Sequence, residues 1–178
     1  SMVISRDGRS LFVVAHDVYL RDDEGDALIR KFDLSSGAAV EQWARRMDGA
    51  RHLALGVNDE SRLYVGTRGH IGRNTRSRIV ECDADDGTEV QEWTPEGSDA
   101  EFGHLTVGRG AQGEDAILAY TRDDQRHAIV KMTRSRGMTE LVRSEGLLCG
   151  LAMSKDLSQL YYVRCLLYTS PSPRDPTS

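Results

Sequence analysis

Gly37, Gly87 and Gly137 stand fifty residues apart, and so do Ile29, Ile79 and Ile129. The segments around them, LIRKFDLSSGAAVEQW (28–43), RIVECDADDGTEVQEW (78–93) and IVKMTRSRGMTELVR (129–143), match position by position. Asp33 pairs with Asp83 in this register, and Trp43 with Trp93. A second module alternates with the first: MVISRDGRSLFVV (2–14), LALGVNDESRLYVG (53–66), LTVGRGAQGEDAILAY (105–120) and LAMSKDLSQLYYV (151–163). An internal period of this length means stacked units, each too small to bury its own faces and each covered by its neighbour.

Both modules read as β-hairpins. In the first unit a short strand, Met2–Ser5, meets a turn containing Asp7-Gly8, then the β-branched and aromatic strand Leu11–Ala15. Asp-Gly between such runs is a strong hairpin signal. In the next pair, alternation sets Leu28, Arg30, Phe32 and Leu34 on one face and Ile29, Lys31 and Asp33 on the other. The turn glycines Gly37, Gly87 and Gly137 supply positive φ. No segment holds a capped 3.6-residue periodicity, so helix content is expected near zero.

Two hairpins per fifty residues predict an all-β fold: a partial β-propeller of about three four-stranded blades plus one hairpin. The expected blades are 2–43, 53–93 and 105–143, with a partial one at 151–164, fourteen strands in all. Ile29, Ile79 and Ile129 are expected at equivalent buried positions, with Phe32, Cys82 and Met132 equivalent on the opposite face. Propellers close with roughly 4–8 blades, so residues 1–164 are expected to be a fragment of a larger ring, with apolar side chains bare on its outer blades. Three of the four prolines fall at Pro171, Pro173 and Pro176, in a stretch without apolar periodicity. The run CLLYTSPSPRD (165–175) resembles translated vector sequence, and residues 165–178 are expected to be a disordered tail foreign to the domain.

Composition excludes other classes. At 39% hydrophobic and 29% charged the chain is neither wholly disordered nor collagen-like. A run such as Leu11–Ala15 is far short of the roughly 18 apolar residues of a membrane span, and no signal peptide is visible. A net charge of −5 gives no reason to expect nucleic acid. Cys82 and Cys149 are widely separated and lack C-x-x-C spacing, so neither a disulfide framework nor a zinc site is expected. Compartment, cofactor and oligomeric state are not legible.

The strand pairs MVISRDGRSLFVV and GLAMSKDLSQLYYV resemble the xxxSPDGxxLYV pair of YVTN-type, lactonase-type and quinoprotein-like propellers. VECDADDGTEVQEWTPEG (80–97) resembles the YVTN partner segment, with Asp83, Val90, Trp93, Pro95 and Gly97 in phase. IRKFDLSSGAAV (29–40) is similar to a WD-repeat segment. The resemblance covers about 160 residues and implies the propeller fold. The chain departs from each subfamily. It has no Gly-Gly pair as in kelch blades, and no Trp-Asp dipeptide as in WD repeats. Trp43 and Trp93 follow their turn glycines by six residues, where quinone-docking motifs have four. CGLAMSKD (149–156) resembles the NGLAxSPD of gluconolactonase and regucalcin propellers, whose Asn is a metal ligand; here Cys149 holds that place.

On this fold function is expected in the loops of one face, at 16–26, 44–51, 68–76, 94–103, 122–126 and 144–150. The loop carboxylates Asp17, Asp22, Asp23, Glu24 and Asp26 read as a solvated loop rather than a cation site, and DADDGTE (83–89) as a plain turn. The segment from Arg62 to Arg78 carries Arg62, Arg68, Arg73, Arg76, Arg78 and His70 without an acid, a pattern suited to a carboxylate or phosphate or to an acidic protein partner. Aligned first strands put His52, His104, Gly150 and Ser1 in equivalent places. His52 and His104 are therefore expected on adjacent blades at the channel rim. They are candidate metal ligands only with a third donor from Asp99, Glu101, Cys149 or the missing blades. The ligand-face candidates are Arg51, His52, Arg68, Arg73, Arg76 and His104, and no catalytic residue is named. The favoured reading is a propeller binding or interaction module for a protein or a small anionic ligand. The alternative is part of a lactonase-like hydrolase or quinoprotein-type dehydrogenase.

Overall fold

The computed structural model describes residues 1–16, 26–69, 76–94, 101–110, 113–122, 127–144, 147–154 and 158–165. Fourteen strands run in chain order: β1 (Met2–Ile4), β2 (Ser10–His16), β3 (Asp26–Asp33), β4 (Val40–Asp48), β5 (Ala50–Leu55), β6 (Arg62–Thr67), β7 (Ile79–Asp83), β8 (Glu89–Trp93), β9 (Glu101–Arg109), β10 (Asp115–Arg122), β11 (His127–Thr133), β12 (Gly137–Ser144), β13 (Leu147–Met153) and β14 (Leu160–Cys165). No α-helix occurs among the described residues, and therefore none long and apolar enough to cross a membrane.

Each fifty-residue unit is one antiparallel sheet laid down in sequence order: β1-β2-β3-β4, β5-β6-β7-β8 and β9-β10-β11-β12, followed by the pair β13-β14. The first strands of successive sheets touch one another, β1 with β5, β5 with β9 and β9 with β13. These are therefore the inner strands, and the architecture is that of a partial β-propeller, three four-stranded blades and a two-stranded fourth.

Burial follows from this stacking. Ile29, Ile79 and Ile129 are all buried, each on the face turned toward the following blade. Ile29 joins Phe12, Leu53 and Val65 between blades one and two. Ile79 joins Phe102, Val107 and Ile117 between blades two and three, and Ile129 packs with Tyr120 and Leu148 toward the fourth. Cys82 and Met132 are buried on the rearward faces, against the preceding blade. Phe32, expected to match them, is only half-buried. It shares a face with Leu11 and Ile4, and among the described residues no sheet lies behind that face. Met2 and Ile4 on β1, and Tyr161 and Val163 on β14, are exposed in the same way. Cys82 is a free thiol whose pKa burial pushes up to about 12, so it is chemically quiet.

Several strands are longer than the hydrophobic pattern suggested. Residues 44–51, expected to form a loop, are the end of β4 and the start of β5 with Gly49 between them, and β9 and β13 begin at Glu101 and Leu147. Ladder hydrogen bonds carry these polar stretches into the sheets where side-chain alternation has stopped. Likewise β14 continues through Cys165, the first residue of the expected tail. The rest of that tail, 166–178, lies outside the described residues.

The blades are also tied by polar contacts. Arg6 donates to the Val57 carbonyl at 2.9 Å and pairs with Glu60, and Lys31 reaches Asp85 at 3.0 Å. Glu81, fully buried, accepts from Arg134 of the next blade and lies 3.4 Å from Arg62. Beside it the Tyr64 hydroxyl donates to Asp115 at 3.2 Å. Burial first, then the Asp115 charge, raises the Tyr64 pKa, so the hydroxyl stays protonated as a donor.

Candidate functional site

Antiparallel pairing sorts the connections. The β1–β2, β3–β4, β5–β6, β7–β8, β9–β10 and β11–β12 turns gather at one end of the blades; the links β2–β3, β4–β5, β6–β7, β8–β9, β10–β11 and β12–β13 gather at the other. The candidate site lies at this second end, between blades two and three.

Its scaffold is a repeated irregularity. In β5, Ala50 faces Thr67 and His52 faces Gly66, so Arg51 is an extra residue. In β9, Phe102 faces Thr121 and Leu105 faces Ala119, so Gly103 and His104 together oppose Tyr120. In β13, Leu148 faces Arg164 and Gly150 faces Val163, leaving Cys149 extra. Three successive inner strands thus bulge at one level, and a bulge twists the strand and re-aims its side chains. The same register makes His52, His104 and Gly150 structurally equivalent.

The bulges bring the two histidines together, with ring centroids 4.5 Å apart and planes tilted by 43°. Burial, then the neighbouring His104, the Ser1 ammonium and Arg51, depress the His52 pKa from 6.5 to about 4. His52 is therefore a neutral ring at pH 7, a hydrogen-bonding group rather than a charge.

Beside His52 opens a cleft of about 210 Å³, lined by Arg51, His52, Arg68, Glu101, Phe102, Gly103, Tyr120 and Arg122. Arg68 directly follows β6 and Arg122 ends β10, each after a threonine, Thr67 and Thr121. Both reach Glu101: Arg68 Nε lies 3.2 Å from Oε1, and Arg122 Nη2 lies 2.9 Å from Oε2. Arg51 is exposed and has no ion pair among the described residues. The Tyr120 hydroxyl lies 2.5 Å from His127 Nδ1, and the two rings lie nearly parallel. Burial raises the pKa of Tyr120, which keeps its proton.

Two glycines make this geometry possible. A Cβ on Gly103 would stand 2.5 Å from the Tyr120 ring. Gly49 has φ +68°, and a Cβ there would stand 2.1 Å from the Arg68 carbonyl oxygen. The Gly49 carbonyl accepts from the Arg68 amide at 2.8 Å, which fixes where the Arg68 side chain starts.

Of the expected ligand-face residues, Arg51, His52 and Arg68 line the cleft and His104 packs on His52. Arg76 is exposed and not on the cleft wall. Arg73, His70, Asp99 and the loop carboxylates from Asp17 to Glu24 lie outside the described residues, as does the side chain of Cys149. Among the described residues, no three His, Cys, Asp or Glu groups gather for a metal. The 83–89 segment is a turn closed by its own carboxylates, with Asp83 accepting from the Asp85 amide and Asp86 from the Thr88 amide. Tyr120, Arg122, His127 and the two glycines escaped the sequence reading. Arg68 and Arg122 recur 54 residues apart rather than 50, so the fifty-residue frame hides their equivalence.

The fold is similar to those of solved structures. A gluconolactonase from Xanthomonas campestris superposes with TM-score 0.62 at 13% identity, over 92% of this chain and 52% of that one. Apo prolyl oligopeptidase B from Galerina marginata gives TM-score 0.58 at 15% identity, over 92% and 23%. Its S577A mutant, bound to a 35-residue hydrolysis and macrocyclization substrate, gives 0.54 at 14%, over 90% and 22%. The chain thus spans about half of the gluconolactonase and under a quarter of the oligopeptidase, and at these identities the likeness carries the fold alone. No protein-family model and no curated protein matches the chain.

Proposed function

We propose that the chain is the recognition part of a propeller, a binding module whose ligand sits at the connection end of blades two and three. One observation carries this reading: β5, β9 and β13 each bulge at the same level, and the cleft opens where two of those bulges meet. Regular inner strands would build the blades equally well, and bulges cluster beside functional sites. The groups brought there suit recognition. They are guanidinium forks, a neutral imidazole and a phenol braced by a second imidazole.

A lactonase-type hydrolase is the second reading, favoured by the likeness to the gluconolactonase. A metal held by His52 and His104 needs a third donor, and among the described residues none joins the pair.

The test is localisation by NMR. A ¹⁵N-labelled chain is titrated with small polar probes (butyrate, glucose and butylamine) and the perturbed amides are mapped. The expected outcome is that at least one probe shifts the amides of 50–52, 66–68, 101–104 and 120–122 together. Perturbation confined to the turn end, or none with any probe, overturns the proposal.

A further inference from the structure

We infer that the ligand taken at this end is a small carboxylate, with the Arg51 guanidinium as its anchor; this rests on the binding reading above. The cleft itself shows which anion it accommodates. Arg68 and Arg122, from two successive blades, already hold one carboxylate between them, that of Glu101, one arginine on each oxygen. That pair is satisfied internally and builds the wall. Arg51, also on the cleft wall, presents the same planar fork without an acid among the described residues. A guanidinium with its donors free favours a two-oxygen planar acceptor, which it binds through two parallel hydrogen bonds.

The neighbouring groups sharpen the class. Three guanidinium groups face one carboxylate around the cleft, so an added anion finds an excess of positive charge and a cation is repelled. His52, beside Arg51, is neutral at pH 7 and offers a hydrogen bond without a competing charge. The Tyr120 ring gives the wall an apolar surface for the body of the ligand. The volume, about 210 Å³, is below the roughly 300–1,000 Å³ of drug-sized pockets, which limits the ligand to a small metabolite.

The experiment compares isosteres by the same amide shifts: butyrate, butyramide and butylamine, with inorganic phosphate as a second anion. Butyrate is expected to shift the amides of 51–52 and 120–122 and to bind at least tenfold more tightly than butyramide. Its affinity is expected to fall as salt rises. Arg51→Gln is expected to weaken butyrate at least tenfold while leaving the melting temperature unchanged, since Arg51 is exposed and has no ion pair among the described residues. Butyramide binding as well as butyrate, phosphate binding more tightly than butyrate, or Arg51→Gln leaving butyrate affinity intact would each overturn the carboxylate inference while a ligand site remained. If no probe shifts this end, the binding reading falls with it.

Discussion

His52 shows how one residue is set by its place between blades. Its ring lies against His104, close to Arg51 and half-buried, so folding opposes its protonation. The unfolded value is 6.5 and the folded value about 4. Between these the unfolded chain binds more protons than the native one, so stability is fully present above pH 6.5 and declines as pH falls toward 4. The ring is partly solvated, so the contribution is set at about 1–2 kcal/mol, below the full linkage figure. Urea midpoints at pH 7.5 and 5 are expected to differ by more in the native chain than in His52→Gln. Equal differences would show that the ring titrates normally. A bound carboxylate would partly reverse the effect, because an anion beside His52 favours its protonated form.

At the scale of the strand, one hydrophobic pattern gives different burial according to what covers it. Ile29, Ile79 and Ile129 all face forward onto a following blade and are buried, whereas the rearward trio splits into buried Cys82 and Met132 and half-buried Phe32. Ile129→Ala is expected to cost about 2–5 kcal/mol, because it opens a cavity under β13. Phe32→Ala, although it removes a larger side chain, is expected to cost less, since solvent already reaches the ring. Chemical denaturation of both variants checks the order. A costlier Phe32→Ala would mean that the rear of the first blade is covered in solution. The outer strands carry the same device as the inner ones: Gln42, Val90 and Leu141 are extra residues in β4, β8 and β12. Bulges therefore bend both edges of every four-stranded blade except β1, which pairs with β2 without interruption.

Across the molecule the blades are kept in order by unlike charges at like positions. Lys31 and Glu81, fifty residues apart, each cross to the next blade, Lys31 to Asp85 and Glu81 to Arg134. Stacked against the first blade instead, Glu81 would meet Leu34 at the Arg134 position and be buried without that partner, a cost that disfavours the wrong order. Glu81 is fully buried, so removing Arg134 leaves a charge that solvent cannot reach. Arg62 at 3.4 Å retains part of the compensation, and Arg134→Ala is expected to cost about 3 kcal/mol, at the low end for a broken buried pair. The double variant Glu81→Leu with Arg134→Met is expected to recover most of that loss, because two apolar groups need no partner. If the double variant is as unstable as the single one, the pair contributes more than charge compensation.

The fifty-residue repeat, the hairpin turns and the alternation of Ile79 and Ile129 with Cys82 and Met132 were enough to determine four-stranded blades and, except behind Phe32, the faces they bury. These are local matters: strand period and turn chemistry act over a few residues, and a repeated unit repeats its own solution. The equivalence of His52 and His104 was legible for the same reason, because both precede matching apolar strands. The cleft was not. Its walls come from Arg51 and Arg68 of one blade and Glu101, Tyr120 and Arg122 of the next, at separations that the repeat does not preserve. Gly49 and Gly103 matter through atoms that approach them only after folding, the Arg68 carbonyl and the Tyr120 ring. The strand bulges that set all of this are decided by how each inner strand meets its partner in register, and hydrogen-bond pairing between segments is a property of the assembled sheet, not of either segment alone.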